Sequence, residues 1–406
     1  MTSLHIYNIG PVTGHVNIDL KRFNFFIGPQ SSGKSTIAKV ISTLSWMEKE
    51  SCTTLSEEIL PPGITFKDFI EDFHRIHGYI HEDTVIEYDS EYVSINYADS
   101  KLKITLKENC EEYKRVKVLY VPSDRNIITL PDIEVRNLES TNFRSFLFDW
   151  LDCRKHYDAS HKTKLMNLGV QYYYDKSSSE RKDRIVHQNG ITYEIPLYDA
   201  SSGLQSVVPM MVLVEYLTTQ YAENYSNELS YSTKNRNNEL FMKLLKKYFP
   251  MQPHEDDSAY LKRIKSVVTN GGLKDHELMN SLFIKSENLT NPSSISFILE
   301  EPEQNLYPDT QVEVLKSIIS HCNSNNKNTA VVTTHSPYIV NYLNVLLKRP
   351  SESIEKINPE DLGVYLTFNG GVQNLMMHNQ EKSQWAVDSA ALSEAMNRMF
   401  DEYSNS

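Results

Sequence analysis

The beginning of the chain alternates apolar and polar positions and is interrupted at two turn signals. The stretch LHIYNIGPVTGHVNIDLKRFNFFIG alternates, breaks at Gly-Pro and Thr-Gly, and ends in the apolar FNFFIG. Alternation is typical of half-buried antiparallel strands, and a short apolar run is typical of a buried strand. After GPQSSGKST, residues 37–47 change to helical spacing. The pattern therefore predicts a buried strand, a glycine-containing loop and a helix in succession.

The middle of the chain combines hairpin patterns with helical ones. Residues 88–105 alternate like a hairpin, and so do residues 184–196. Apart from that second hairpin, the sequence between about residue 135 and residue 290 is mostly helical in pattern, with polar loops. We therefore expect a second, mainly helical lobe here.

The last part of the chain returns to strands. From Ile295 an apolar strand, an amphipathic helix over residues 310–321 and the apolar strand TAVVTT follow one another. Two apolar strands separated by a helix imply parallel neighbours in a covered sheet. Residues 364–377 are typical of one more hairpin, and residues 385–403 of a closing helix.

The bulk composition indicates a folded protein without long disordered tracts. Hydrophobic residues make up 40% and charged residues 23% of the composition. A length of 406 residues exceeds what one compact core usually holds, which favours an elaborated domain or a second lobe. The net charge of −12 disfavours general attraction to nucleic acid or an anionic membrane, although a local basic groove stays compatible with it.

The sequence carries no sign of secretion, membrane insertion or a cysteine-based site. The N-terminus MTSLHIYNIGPV has no basic flank followed by an apolar run, and the apolar stretch 207–214 is too short for a bilayer. The four cysteines are scattered without a CxxC pair, so neither a zinc site nor a disulfide framework is indicated. We expect a cytoplasmic protein without a signal peptide or membrane span.

The loop between the predicted strand and helix matches the pattern GxxxxGK[ST]. In this pattern backbone N–H groups surround the β-phosphate of a nucleotide, Lys34 neutralises the β- and γ-phosphate oxygens, and the Ser35 hydroxyl ligates Mg²⁺. The flanking strand and helix disfavour an ordinary glycine turn, and the helix N-terminus adds partial positive charge. The residues predicted to bind ATP are Gly28, Pro29, Gln30, Ser31, Ser32, Gly33, Lys34, Ser35 and Thr36.

Two acids and a histidine follow the two later strands. Glu300 would hold Mg²⁺, through water, and Glu301 would orient or deprotonate the attacking water. Paired glutamates after a strand are often only solvated, but the phosphate loop upstream favours the catalytic interpretation. His335, at the end of the next strand, would hydrogen-bond the γ-phosphate.

These motifs resemble those of a known family. EEPEQNLYP followed by VVTTHSP is similar to the extended Walker B, D-loop and switch-histidine region of ABC ATPases. The resemblance is strongest to the branch with RecF, the SMC heads, the OLD-type ATPases of bacterial defence and stand-alone bacterial "AAA family ATPases". It implies ATP binding and hydrolysis. Two departures are Glu300, where many members have Asp, and Tyr307, where the D-loop often ends in Asp.

Two further segments resemble the same family. ASSGLQ is similar to the ABC signature, and Ser201, Ser202 and Gly203 open an apolar helix whose N-terminus is an anion site. Serine here also fits an ordinary helix N-cap. In the family this site serves the ATP of the partner subunit, so the resemblance implies a dimer. YVPSDR is similar to a segment of the same ATPases, in which Arg125 is either a phosphate or interface contact or a structural salt bridge.

Pattern and resemblance together predict an α/β fold. We expect an ABC-type P-loop head with an N-terminal antiparallel β lobe and an inserted helical lobe. Residues 1–134 would form the β lobe and Walker A region, and residues 135–290 the mainly helical inserted lobe with the signature. Residues 291–406 would carry Walker B, the D-loop, the switch histidine and a C-terminal helix.

The resemblance favours one biological role over several others. It implies an ATP-sandwich homodimer or higher oligomer that is the sensor or regulatory ATPase of a bacterial anti-phage system with a separate effector or nuclease. No DxD cluster follows His335, so we expect no nuclease activity in this chain. The alternative is a DNA-repair or DNA-maintenance ATPase, and basic runs such as HKTKLMN leave DNA open as a partner.

Two other classes of P-loop protein fit the sequence less well. A transporter motor shares the motifs, but it usually has a shorter chain in which the equivalents of Lys34 and Glu300 lie closer together. A small-molecule kinase shares only the phosphate loop, because nothing in kinases resembles the signature and the switch histidine.

Overall fold

The computed structural model describes residues 2–130, 139–179, 181–188, 190–227, 230–379, 384–390, 392 and 401–404. The strands are β1 (Thr2–Ile9), β2 (Val16–Leu20), β3 (Phe23–Ile27), β4 (Ile80–Asp89), β5 (Val93–Ala98), β6 (Lys101–Leu106), β7 (Val116–Val121), β8 (Thr163–Lys164), β9 (Val170–Tyr174), β10 (Asp183–His187), β11 (Tyr193–Pro196), β12 (Ser294–Glu300), β13 (Thr329–Thr334), β14 (Leu362–Phe368), β15 (Gly371–Asn374), β16 (Met376–Asn379) and β17 (Gln384–Val387). The helices are α1 (Lys34–Thr54), α2 (Phe66–His74), α3 (Asn142–Cys153), α4 (Ser202–Thr219), α5 (Tyr221–Asn227), α6 (Tyr231–Tyr248), α7 (Asp257–Asn270), α8 (Leu273–Thr290), α9 (Pro308–Asn323) and α10 (Pro337–Leu347).

The central sheet has the strand order β15-β14-β3-β13-β12-β7. Strands β14, β3, β13, β12 and β7 run parallel to one another, and β15 is antiparallel at one edge. Every residue of β3 and β12 is buried, as in strands covered by helices on both faces. The predicted parallel pairing of β12 and β13 is confirmed. Since parallel strands share one carboxyl edge, the loops after β3, β12 and β13 come together there.

An antiparallel sheet with the strand order β2-β1-β4-β5-β6 forms most of the N-terminal β lobe. Every second residue of β5 is buried, which is the alternation expected of a sheet with one covered face. This sheet, α1 and one face of the central sheet share the N-terminal core, whose members include Leu4, Ile41 and Ile298. The predicted antiparallel strands and the helix after the phosphate loop are confirmed.

Helix α4 lies on the opposite face of the central sheet, in what we call the second core. Its apolar stretch 207–214 is buried together with α3, α9, α10 and the small antiparallel sheet β11-β10-β9-β8. Burial inside the protein therefore explains why α4 is so apolar. Within the described part of the chain, no helix combines the length and the apolar character needed to cross a membrane.

The described residues between 135 and 290 divide their buried side chains between the two cores. Elements α3, β9, β10 and α4 pack into the second core. Buried residues of α6, α7 and α8, such as Leu244, Ile264 and Leu282, belong to the N-terminal core instead. Each element buries its apolar face against whichever layer covers it, and local spacing does not specify that layer. The three-part division of the chain stays a proposal.

The predicted closing helix over 385–403 is wrong at its start. Trp385 lies in β17, which pairs antiparallel with β16. The Asn344 side chain donates to the carbonyl oxygen of Val387 at 3.1 Å and accepts from its N–H at 2.8 Å. These two hydrogen bonds hold the backbone of Val387 in an extended conformation. They are made by a residue of α10, a contact that the local spacing of apolar residues does not predict. Residues 391 and 393–400 of the predicted helix lie outside the described residues.

Candidate functional site

The phosphate loop connects β3 to α1 and needs glycine at both ends. A Cβ atom on Gly28 would lie 2.3 Å from the carbonyl oxygen of Thr367. Gly33 has φ +99°, and a Cβ atom there would lie 2.7 Å from Val12 Cγ2. Any side chain would therefore open the loop, and at Gly33 it would also strain the backbone.

The loop is anchored on one side and accessible on the other. Ser32 is buried, with its Oγ 2.6 Å from Thr367 Oγ1, so β14 holds the loop. Thr36 is buried in the first turn of α1. The exposed residues of the loop are Pro29, Gln30 and Ser31. The sequence did not reveal Thr367 as a support, because it lies 335 positions further along the chain than Ser32.

Lys34 turns its ammonium back over the loop. Its Nζ donates to the carbonyl oxygens of Gly28 at 2.9 Å and Pro29 at 2.7 Å. Burial lowers the pKa of Lys34, and the nearby carboxylates of Glu301 and Glu303 raise it. The ammonium therefore lies on the carbonyls of the loop and near the acids that follow β12, where it would meet the phosphates of a nucleotide.

Glu300 is the last residue of β12, and only one oxygen of its buried carboxylate accepts a hydrogen bond. Its Oε2 accepts a hydrogen bond from the N–H of Ser123 at 3.2 Å, and among the described residues its buried Oε1 has no partner in hydrogen-bond geometry. A buried carboxylate oxygen without a hydrogen bond costs free energy of folding unless a bound group supplies the missing contact. Oxygen ligands are those that Mg²⁺ prefers, and the Ser35 hydroxyl stands in the first turn of α1. The residues present thus fit a bound Mg²⁺ with its water.

Glu301 and His335 lie next to each other at the carboxyl edge of the sheet. Glu301 Oε1 is 3.4 Å from His335 Nε2, and both side chains are about 30% exposed. Glu301 has φ +44°, and its N–H donates to the carbonyl oxygen of Thr333 at 2.9 Å. A left-handed conformation is uncommon outside glycine and costs free energy, and such residues cluster at functional sites. The two predicted catalytic residues are thus brought together.

Sequence reasoning missed Glu303, the next acid of the same loop. Its Oε1 accepts from Thr334 Oγ1 at 2.7 Å and from the N–H of His335 at 2.6 Å, while its buried Oε2 has no hydrogen-bond partner in the part of the chain that the structure describes. Burial raises the pKa of Glu303, against the effect of the hydrogen bonds from His335 and Thr334. Glu303 therefore fixes the loop that carries His335. The third acid of the EEPE run was the available signal.

The signature turn is an ordinary helix start with accessible hydroxyls. Ser201 caps α4, with its Oγ accepting from the N–H of Leu204 at 3.5 Å, and Ser201 and Ser202 are exposed. Gly203 is buried, and a Cβ atom there would lie 2.8 Å from the carbonyl oxygen of Asn305. The turn thus packs against the loop after Glu301 of its own chain. Its role towards a partner's ATP stays a prediction.

Arg125 is enclosed and bonds main-chain groups. It is 0% exposed, and it donates to four carbonyl oxygens: those of Pro122 at 3.2 Å, Ser206 at 3.0 Å, Glu300 at 2.8 Å and Glu301 at 2.8 Å. A fully buried guanidinium cannot reach a phosphate in solution or a partner's surface. Its partners also differ from the carboxylate expected of a salt bridge. Arg125 instead holds four main-chain carbonyl groups together.

A comparison with protein families finds one match, which covers the later half of the site. Residues 274–340 match the family model described as an AAA ATPase domain. The matched range contains β12, the acids, α9, β13 and His335. This part of the chain is therefore similar to an AAA ATPase domain. With the phosphate loop and this strand order, the predicted ABC-type P-loop ATPase and its α/β fold are confirmed.

Solved structures of several heads and cassettes are similar to this ATPase. The SMC head domain from Thermotoga maritima is 12% identical, with 92% of this chain and 97% of that chain covered and a TM-score of 0.35. The recombination mediator protein RecF is 10% identical, with 92% and 97% covered and a TM-score of 0.32. The bacterial ABC transporter cassette MJ0796, a dimer, is 13% identical, with 92% and 97% covered and a TM-score of 0.30. None of the curated proteins compared with the chain matches it.

Replacing Glu303 with alanine should slow ATP hydrolysis much more than it weakens ATP binding. The change removes the acceptor for Thr334 Oγ1 and the N–H of His335, which frees the loop of the catalytic pair. We expect kcat to fall by about tenfold or more, because misplacement of a reacting group by about 1 Å has effects of that size. Steady-state phosphate release and equilibrium dialysis with ATP measure the two quantities.

The matched control is Glu303→Gln, which keeps an acceptor oxygen for both bonds and should keep most of the activity. An unchanged kcat for Glu303→Ala, with wild-type folding by circular dichroism, would show that Glu303 does not position His335.

Proposed function

We propose that this ATPase hydrolyses ATP with Mg²⁺ in sites that are each shared by two copies of the chain. One observation carries the proposal: Glu301, His335 and the unsatisfied Glu300 oxygen stand at the sheet edge into which Lys34 projects. Burial lowers the pKa of Lys34, and Glu301 and Glu303 are close enough to oppose this effect in part. A cation, acids and a histidine at one open edge suit phosphoryl transfer to water.

Each residue has a distinct role in the proposed reaction. The loop N–H groups and Lys34 bind the β- and γ-phosphates, and Glu301 orients the attacking water and takes its proton. His335 donates a hydrogen bond to the γ-phosphate as charge develops on it. Mg²⁺, held by Ser35 and Glu300, would neutralise charge on the β- and γ-phosphate oxygens.

Exposed groups at the same edge support a shared site. The Ser202 hydroxyl is exposed at the N-terminus of α4, where backbone N–H groups favour an anion. Tyr307, which precedes α9, is 73% exposed, and Tyr338, in the first turn of α10, is 53% exposed. Large aromatic side chains in solvent next to a catalytic edge are typical of a surface that another protein covers. A second copy would cover them and supply Ser202 and Gly203.

The concentration dependence of the ATPase rate tests the shared site. If two chains are needed for each site, activity per chain should rise with protein concentration and then level off, since only dimers hydrolyse ATP. Phosphate release is measured across the range in which light scattering with ATP shows the change from monomer to dimer. The same activity per chain in monomers and dimers would contradict the proposal.

We further propose that the ATPase regulates a separate effector or nuclease in a bacterial anti-phage system. The resemblance of EEPEQNLYP and VVTTHSP to the OLD-type defence ATPases supports this role. Genes next to this one test it: a neighbouring effector gene whose product co-purifies with the chain in ATP would support it. Neighbouring recombination genes, with direct DNA binding by the chain, would favour DNA maintenance. The absence of nuclease activity and the cytoplasmic location stay predictions.

A further inference from the structure

Arg125 joins two parts of the chain that belong to different functional motifs. Its Nε donates to the carbonyl oxygen of Ser206, within α4 and one turn after the signature residues. Its two terminal nitrogens donate to the carbonyl oxygens of Glu300 and Glu301. The rigid planar guanidinium offers five N–H groups, so one side chain can fix several carbonyls in one geometry.

The connection is short and enclosed. Arg125 is fully buried, and burial lowers its pKa to about 10, against the effect of Glu303, Glu301 and Glu300, so it stays charged near neutral pH. The peptide that it holds at Glu301 has the strained left-handed conformation. Without these bonds the buried guanidinium would lose its acceptors, which costs free energy.

Two other contacts join α4 to the same loop. The carbonyl oxygen of Asn305 lies 2.8 Å from the Cβ position of Gly203, so this contact leaves no room for a side chain. Ser206 Oγ donates to Gln304 Oε1 at 3.5 Å. A displacement of the signature turn must therefore move the loop that begins at Glu301, and the reverse holds as well.

We propose that Arg125 is a positioning residue that couples the two ATP sites of the dimer. This inference rests on the proposed shared site. In that arrangement the start of α4 contacts the partner's ATP, whereas Glu301 acts on the ATP of its own chain. Since Arg125 bonds both, a nucleotide seated against the signature turn sets the position of the catalytic carboxylate of the other site. Hydrolysis at one site then depends on occupancy of the other.

The test uses heterodimers purified in ATP through a different affinity tag on each chain. In the reference pair one chain carries Glu301→Gln and the other is wild type, so hydrolysis is confined to the site with wild-type acids. In the test pair the first chain carries Arg125→Lys as well. The active site then keeps a wild-type phosphate loop and acids, and only its signature turn comes from the altered chain.

We expect the ATPase rate of the test pair to be about tenfold below that of the reference pair, because one ammonium cannot hold four carbonyls and the signature turn shifts. If the reference pair hydrolyses too slowly to measure, the Kd of a fluorescent ATP analogue at the same site gives the comparison, with weaker binding expected in the test pair.

Arg22→Lys provides the matched control. The Arg22 side chain donates to three main-chain carbonyls, those of Cys322, Asn325 and Asn328, near the start of β13. When Arg22→Lys replaces Arg125→Lys in the test pair, the ATPase rate should equal that of the reference pair. Equal rates in the test and reference pairs would overturn the coupling and leave the shared site intact. A reference pair that does not associate in ATP would overturn both.

Gln304→Ala tests the same connection if Arg125→Lys lowers the yield of folded protein. It removes the acceptor for Ser206 Oγ without changing a buried charge. The rate of the test pair should then fall by about threefold, the size of effect expected for one weak hydrogen bond. An unchanged rate, with wild-type folding by circular dichroism, would overturn the proposal.

Discussion

Replacing Lys34 with alanine should abolish tight ATP binding. The ammonium is the cation that the phosphate loop places over its own carbonyl groups, and residues 28–36 contain no other positively charged side chain. Loss of one partner of a buried charge pair costs about 3 kcal/mol, which corresponds to about a hundredfold increase in Kd. Equilibrium dialysis with ATP and Mg²⁺ measures the change.

Lys39→Ala is the control for this substitution. Lys39 lies in the same helix, outside the loop, so its removal changes the charge of α1 equally but should leave the Kd for ATP within experimental error. A Kd for Lys34→Ala that stays within about threefold of wild type would show that the loop does not bind the triphosphate as assigned.

Replacing Glu301 with glutamine should trap ATP and accumulate dimers. Glutamine has nearly the same shape, so the binding groups and the contact with His335 are kept, but it cannot take a proton from water. Loss of a general base lowers the rate by about a hundredfold or more, while ATP binding is unaffected. Light scattering after size exclusion with saturating ATP, and a steady-state ATPase assay, measure the two effects.

A second substitution turns this result into a test of the shared site. Gly203→Asp would repel phosphate at the signature turn, but its Cβ atom would clash with the Asn305 carbonyl oxygen of its own chain. Ser202→Asp introduces the same charge at an exposed position, so it should prevent dimerisation without disturbing the fold. Each variant alone should have little ATPase activity.

Mixing the two variants should restore a small part of the activity, since the intact site lacks a nucleotide at the other site, on which its hydrolysis depends through the coupling proposed for Arg125. A heterodimer of Glu301→Gln and Ser202→Asp has one site with both defects and one site with neither. Full recovery at the intact site would require sites that act independently, and it would contradict the coupling through Arg125. Ser230→Asp, at the start of α6, is the control, because aspartate caps a helix as well as serine does and should leave activity unchanged. Monomeric Glu301→Gln at saturating ATP, together with no recovery on mixing, would leave the dimer without support.

Several parts of the site could be predicted from local sequence. The phosphate loop, the acids after β12 and the histidine after β13 each follow an apolar strand directly. In such a case the strand, the turn and the chemical group are encoded within a few residues of one another. The parallel pairing of β12 and β13 also followed from their patterns and the helix between them. The roles assigned to Glu301 and His335 remain for the experiments above to decide.

Other features depend on contacts between residues far apart in the chain. The pairing of Trp385 in a strand, the division of residues 135–290 between two cores and the packing of Gly203 on Asn305 each need a partner that local spacing does not specify. A helical pattern states which face is apolar, but not which layer covers it.

The sequence by itself determined the chemical groups, and the tertiary structure decided how they are connected. The motif order was enough to predict an ATPase, because each motif is local. Only the fold places β13 between β3 and β12, which sets His335 beside Glu301. Arg125 bonds the Glu300 carbonyl across 175 positions of sequence. Such a bond forms only after the chain has folded, because a buried carbonyl forms a hydrogen bond with whichever donor the packing places next to it.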